Sequence, residues 1–341
     1  MVVSTSTFAF NQLSSQYMKN SPREMADMLF GLPKISRELK KLRQSGYPVK
    51  SALSLVESDN RTETVVYTSR RFQPYAGSFS AHYAFVGPSV FSQAKPDKAK
   101  ARPLVYISMG TVLNDRPDFY KNCIAALREL DADVLISCGQ YMRQDELGTL
   151  PEHVRACPYV DQLEVLARAD VFITHCGMNS VSESLYMATP MVLYPQTGEQ
   201  RAVARRAAEA GAGVFLREDT PEHIREAVQK ILRDKAYAEA AAACSADFRA
   251  CSGPADAASF IENAPHTVTE KDPLAALNRQ NGIFQLLYWA AAGAALFALG
   301  AAAGWRCVWP AGILAGVGNS LLGRRVQQRN AHKLMEEPFF R

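Results

Sequence analysis

THCGMNSVSESLYMATPMVLYPQTGEQ, Thr174 to Gln200, crowds polar side chains between two apolar runs. The preceding DVFIT reads as a strand, His175-Cys176-Gly177 as a tight turn at its carboxyl end, and a helix is expected to begin near Asn179. In an open α/β sheet, ligands sit in the crevice beyond the strand ends. A helix start there offers unpaired backbone N–H groups and the positive end of a dipole, worth about 0.3–1 kcal/mol per interacting charge and up to about 2 kcal/mol when partly buried. A phosphate suits such a place. His175, Asn179 and Ser180 can add donors, and Glu183, one turn into the helix, can accept two hydrogen bonds from a vicinal diol such as ribose. A plainer reading, with Asn179 and Ser180 as caps and His175 as a turn residue, serves for any one of them but less well for the whole constellation.

Outward from this stretch, short apolar runs alternate with longer amphipathic ones from Leu104 onward. LVYISM, PDFYKNCIAALREL, DVLISC, VRACPYV, DQLEVLARA, DVFIT, NSVSESLYMA, PMVLYP, EQRAVARRAAEAG and GVFL follow one another. That β-α rhythm is the signature of a parallel sheet wrapped by helices. Thr220-Pro221 then caps EHIREAVQKILRD, and helical sequence continues to about Ala264.

At 341 residues the chain can bury a sizeable core, and its net charge of +4 is mild. No run of basic residues alternates with aromatics, so nucleic acid is not an expected partner. The 7 cysteines form no CxxC pair, which points to neither a zinc site nor a disulfide framework and fits a reducing cytoplasm. Residues 1–98 are less regular. Ser21-Pro22-Arg23-Glu24 predicts a capped helix, a second helical stretch carries Ile35, Leu39 and Leu42 on one face, and SQAKPDKAKARP reads as a polar linker.

Between Arg279 and Arg306 lie 26 uncharged residues. As one helix they would span about 39 Å against a hydrocarbon core of about 30 Å. A second apolar run, Cys307 to Gly323, contains Pro310, and arginines flank the pair at 279 and at 324, 325 and 329. By the positive-inside rule the expectation is a transmembrane helical hairpin over 283–323 with both ends cytoplasmic. The domain plan expected from sequence is thus a partial acceptor-side domain and linker over 1–98, a donor-binding domain over 99–265, a linker over 266–282, the hairpin, and a basic tail over 324–341.

HCGMNSVSE followed by PMVLYPQTGEQ resembles the donor signature of family 1 UDP-glycosyltransferases, most like the bacterial macrolide type. VYISMGTVLNDRPDFYKNCIAALREL, PYVDQLEVLARAD and YAFVGPS extend the resemblance over roughly residues 1 to 265. It implies a GT-B fold, in which a C-terminal Rossmann-like domain binds a UDP-sugar and an N-terminal one binds the acceptor. It puts His175, Gly177, Asn179 and Ser180 at the diphosphate, with Ser108, Gly110 and Thr111 of SMGT lining the same cleft. Glu183 would hold the ribose hydroxyls, with Gln162 beside it, and Glu199 and Gln200 the sugar hydroxyls. A terminal Gln in that pair resembles a glucose preference. Tyr159 would stack on uracil next to Val160, although Asp161 stands where relatives often have proline.

The family's general base is a histidine after the first strand of the acceptor domain. None of His82, His153, His223, His266 and His332 stands in that context, so the catalytic base is unassigned and the chain reads as lacking most of the acceptor domain. The resulting expectation is a membrane-attached hexosyltransferase, its donor domain cytoplasmic. It would use a UDP-sugar as co-substrate with no metal and act with inversion on a hydroxyl-bearing small-molecule or lipid acceptor. A separate acceptor-domain polypeptide could complete it. The alternative is a non-catalytic, membrane-bound UDP-sugar-binding subunit.

Overall fold

The computed structural model describes residues 2–11, 13–17, 22–47, 49, 60, 62–90, 94–111, 114–139, 144–264 and 275–303, with short pieces between 311 and 326. Strands β1 (Val2–Thr5), β2 (Glu63–Val66) and β3 (Tyr83–Phe85) form a small parallel sheet in that order. Between β1 and β2 runs helix α1 (Pro22–Gln44), which continues through Pro33 and so joins the two helical stretches expected there. The Ser21 cap lies outside the described residues.

The main sheet follows. Its elements are β4 (Leu104–Ser108), α2 (Pro117–Leu127), β5 (Asp133–Ser137), β6 (Val154–Cys157), α3 (Gln162–Arg168), β7 (Val171–Thr174), α4 (Met178–Tyr186), β8 (Met191–Leu193), α5 (Gly198–Glu209) and β9 (Gly213–Phe215). Helices α6 (Pro221–Arg233), α7 (Lys235–Arg249) and α8 (Pro254–Glu262) complete it. All six strands are parallel, in the order β6-β5-β4-β7-β8-β9. The chain lays β5 and β6 on one side of β4, then crosses to lay β7, β8 and β9 on the other. Ligands bind at such a reversal, where two neighbouring loops diverge.

The central strands β4, β7 and β8 are buried on both faces, which is why they read as continuous apolar runs. Val105 and Ile107 of β4 point into one core with Phe119, Ile124, Ile224 and Val228. Tyr106 points into the other with Phe172, Leu166, Val181, Val203 and Phe248. Helices α2 and α6 therefore cover one face, and α3, α4, α5 and α7 the other.

Two expectations are corrected. First, the N-terminal elements are not a partial domain set apart from the donor domain, because Met1–Pro74 and Tyr83–Pro265 form one compact unit. Phe72 packs 5.8 Å from Phe8 and 5.5 Å, edge on, from Phe248 of α7, so the early segment shares the Rossmann-like core. The guanidinium of Arg206 on α5 donates to the carbonyls of Arg71 and Phe72 at 2.6 and 3.0 Å. The polar linker is pinned as well. Lys98 Nζ donates to Leu166 O at 2.8 Å, Ala169 O at 2.6 Å and Thr189 Oγ1 at 2.9 Å, closing the loops that follow α3 and α4.

Second, the transmembrane hairpin over 283–323 and the membrane localisation drawn from it are not supported. A second compact unit, Tyr75–His82 with His266–Arg341, contains helix α9 (Ala275–Ala303). Among the described residues one helical window, Arg279–Leu299, is long and apolar enough to cross a membrane. A single such helix is a weak sign, since core helices of soluble proteins meet the same criteria of length and composition. The other arm lies partly outside the described residues, and at 17 residues it would rise only about 26 Å as one helix.

Candidate functional site

At the reversal, Ser108 of β4 pairs in register with Thr174 of β7, so the loops Ser108–Thr111 and His175–Gly177 emerge side by side. They open on a cleft of about 710 Å³. The cleft is lined by Ser108, Gly110, Thr111, Tyr159, Val160, Gln162, His175, Gly177, Asn179, Ser180, Glu183 and Glu199. Of the thirteen positions singled out in the sequence, Gln200 alone is absent from that lining.

The His175 ring lies between two glycines. A Cβ on Gly110 would come within 2.5 Å of its Cε1, and one on Gly177 within 2.6 Å of its Nε2. Gly110 also has φ +79°, a left-handed conformation that costs other residues about 1–2 kcal/mol. Burial lowers the His175 pKa, against a weaker upward pull from the Ser108 backbone, so the ring is neutral near pH 7. Cys176 takes φ +67° to turn the chain, and α4 then starts at Met178 with Gly177 as its N-cap. No side chain caps this helix, so its first N–H groups face the cleft unclaimed. An anion with several acceptor oxygens fits them.

Glu183 lies five residues further, about 7.5 Å along the helix axis. Its Oε2 accepts a hydrogen bond from Gln162 Nε2 at 2.6 Å, while Gln162 Oε1 accepts one from the Tyr106 hydroxyl at 3.2 Å. Burial raises the Glu183 pKa, offset in part by the bond from Gln162. The Tyr106–Gln162 relay thus orients a carboxylate whose remaining lone pairs face the cleft. Asp161, the departure from proline, has a local role here: it is the N-cap of α3 and accepts the Glu164 N–H at 3.1 Å. Tyr159 stays 80% exposed at the cleft wall and leaves a ring face open for stacking.

At the far end, α5 begins in a reciprocal cap. Thr197 accepts from Gln200 N, and Gln200 Oε1 accepts the N–H groups of Gln196 and Thr197 at 2.8 and 3.2 Å. Gln200 Oε1 is engaged in holding this loop, and Glu199 is the member of the pair that lines the cleft. Arg116 supports the loop from the β4 side, donating to Gln196 Oε1 at 2.5 Å and Tyr194 Oη at 3.3 Å.

Sequence reasoning missed several lining residues: Ser6, Thr7, Tyr106, Asn114, Ser137 and Gly139. Asn114 is 6% exposed, and its amide presses on Gly139, where a Cβ would meet Nδ2 at 2.2 Å. Tyr106 sits inside an apolar strand and carries no local mark of a polar role. The Ser-Thr repeats after β1 were a visible signal, but nothing nearby in sequence tied them to this cleft. Among the described residues no group of three or more His, Cys, Asp or Glu is arranged to hold a metal ion.

The family described as "Erythromycin biosynthesis protein CIII-like, C-terminal domain" matches residues 121–263. The chain is 38% identical over 214 residues to the uncharacterized UDP-glucosyltransferase YojK of Bacillus subtilis (strain 168), covering 61% of this chain and 53% of that one. It is 34% identical over 262 residues to the NDP-glycosyltransferase YjiC of the same organism, covering 74% and 66%. Among solved structures, the glycotransferase of kitacinnamycin aligns with a TM-score of 0.62 at 29% identity, over 76% of this chain and 69% of that one. The matched part is between about half and two thirds of the length of these curated relatives.

Proposed function

Because the chain is related to bacterial GT-B glycosyltransferases of the macrolide and NDP-sugar type, we propose that it binds a UDP-sugar in the cleft beside α4 and transfers the hexose to a hydroxyl acceptor with inversion. The observation that carries this reading is the joint opening of the uncapped α4 N-terminus and the Glu183 carboxylate onto one cleft at the strand reversal. In it, the diphosphate takes the α4 N–H groups together with Ser108, Gly110, Thr111, His175, Gly177, Asn179 and Ser180. Glu183, oriented by Gln162, holds the ribose diol, Tyr159 and Val160 flank the uracil, and Glu199 takes the sugar hydroxyls while Gln200 fixes its loop. The name of the Bacillus subtilis UDP-glucosyltransferase supports glucose as the first sugar to try.

In the reaction, the acceptor oxygen loses its proton to a base and attacks the anomeric carbon from the face opposite UDP. The bond from that carbon to the diphosphate oxygen breaks, its electron pair leaves with UDP, and configuration inverts. Donors already aimed at the diphosphate stabilise the charge that develops there without reorganising. No described residue is assigned as the base. The imidazole of His175 is the one that lines the cleft among the described residues, and its clamped position at the diphosphate end suits a donor role.

Isothermal calorimetry tests the site. Glu183→Ala is expected to weaken UDP more than dUDP, at a cost of about 1–3 kcal/mol for ribose hydroxyls left unpaired. Equal losses for both ligands would take Glu183 off the ribose, and a wild-type chain that holds no UDP would end the reading. Incubation with UDP-glucose and a panel of phenolic and macrolide alcohols, followed by NMR of the anomeric coupling, tests turnover and inversion. Firm donor binding with no glycosylated product would instead favour a binding-only role, which the unassigned base also favours.

A further inference from the structure

The sugar end of the cleft is built by two segments 192 residues apart. Thr7, in the turn after β1, donates its hydroxyl to Glu199 Oε1 at 2.8 Å. Resting on the donor-site reading above, we infer that Thr7 is a positioning residue that orients the Glu199 carboxylate toward the hexose of the nucleotide-sugar. Several observations separate this bond from a passing surface contact. Thr7 is backed by Thr5, whose Oγ1 meets both the N–H and the carbonyl of Thr7 at 3.4 Å. On its other side Phe8 is 1% exposed, and both backbone groups of Ala9 are taken by the Gln73 amide at 2.9 and 3.1 Å.

The segment is also docked on α5, the helix that carries Glu199. Tyr17 donates to Glu209 Oε2 at 2.5 Å, and Arg205 lies 4.3 Å over the Tyr17 ring. Glu199 itself rides on the reciprocal cap of Thr197 and Gln200, so both ends of the Thr7–Glu199 bond stand on backbone held by further hydrogen bonds. A carboxylate has about four lone-pair sites, and Thr7 occupies one on Oε1. Oε2 makes no hydrogen bond to a described residue, and it belongs to a side chain that lines the cleft. A sugar hydroxyl can donate to it with the carboxylate rotamer already fixed, so that less side-chain entropy is lost on binding.

The test is calorimetry on the full chain with two probes, UDP and UDP-glucose, on wild type, Thr7→Val, Thr7→Ser, Glu199→Gln and the Thr7→Val/Glu199→Gln pair. Thr7→Val keeps the shape and removes the hydroxyl. It is expected to weaken UDP-glucose by about 3- to 10-fold while UDP stays within about twofold, and Thr7→Ser is expected to restore the ratio. In the Glu199→Gln background Thr7→Val should cause little further loss, because the two residues act through one bond. A merely structural role would lower both affinities together. An unchanged or tighter UDP-glucose affinity, or equal loss of both probes, overturns the inference and leaves the nucleotide site standing. A wild-type chain that binds neither probe removes the donor-site reading and this inference with it.

Discussion

Gly110 sits against the imidazole of His175 in the left-handed region, and both features forbid a side chain. Gly110→Ala is therefore expected to cost about 1–2 kcal/mol in backbone strain and to push His175 from the diphosphate end. Chemical denaturation should report the lost stability, and calorimetry a UDP affinity that falls by more than tenfold. An unchanged affinity would show that His175 takes no part in holding UDP. The local marks of this site were readable, since glycine, histidine, asparagine and serine around one turn form a short-range pattern. The relay from Tyr106 through Gln162 to Glu183 was not, because a tyrosine within VYISM looks like any other core residue until α3 is laid against β4.

The loops after α3 and α4 are closed by an ammonium rather than by their own residues. Burial lowers the Lys98 pKa to about 8 from its ordinary 10.5, with Asp170 pulling it up and Lys100 pushing it down. Below pH 8 the folded and unfolded chains both keep the proton, and the full burial penalty is present. Between about 8 and 10.5 the folded chain has released a proton that the unfolded chain still holds, so stability contributed at this position rises with pH, by on the order of 1–3 kcal/mol. Urea midpoints at pH 7.5 and 9.5 should show this rise in the wild type relative to Lys98→Met; parallel behaviour of the two proteins would mean that Lys98 keeps its ordinary pKa. The elements themselves were legible from Leu104 to Ala264, because doubly buried parallel strands and amphipathic helices differ in period and length. The stretch SQAKPDKAKARP read only as polar linker, since a lysine among prolines and alanines carries no sign of the three acceptors that await it.

At the scale of the molecule, Met1–Pro74 and Tyr83–Pro265 form one compact unit. Phe72 joins Phe8 to Phe248, and Arg206 ties the same segment to α5. Phe72→Ala is expected to destabilise this unit by about 3–5 kcal/mol and to weaken UDP-glucose more than UDP, since the Thr7 turn depends on the same packing. A single thermal transition for the wild-type unit, lowered as one in the variant, is the expected calorimetric result. Because the chain holds a second compact unit, the telling result would be a separate transition that Phe72→Ala alone shifts, which would mean that the early segment folds apart from the sheet.

Sequence alone determined the parallel α/β architecture, the position of the α4 N-terminus and the group His175, Asn179, Ser180 and Glu183, because periodicity, caps and turn glycines act over a few residues. The other cleft side chains were indicated by the resemblance to family 1 glycosyltransferases. Sequence could not determine that Gln200 closes a cap while Glu199 faces the cleft, for both lie in the same first turn and only the backbone direction of α5 separates them. Nor could it settle the tail, where an uncharged run records composition and length, and a second spanning arm is not met by the described residues. The union of Thr7 with Glu199 was decided by tertiary structure alone. Residues 192 apart meet only after Phe8, Gln73 and Tyr17 have docked one segment on another, and packing of that kind leaves no periodic trace along the chain.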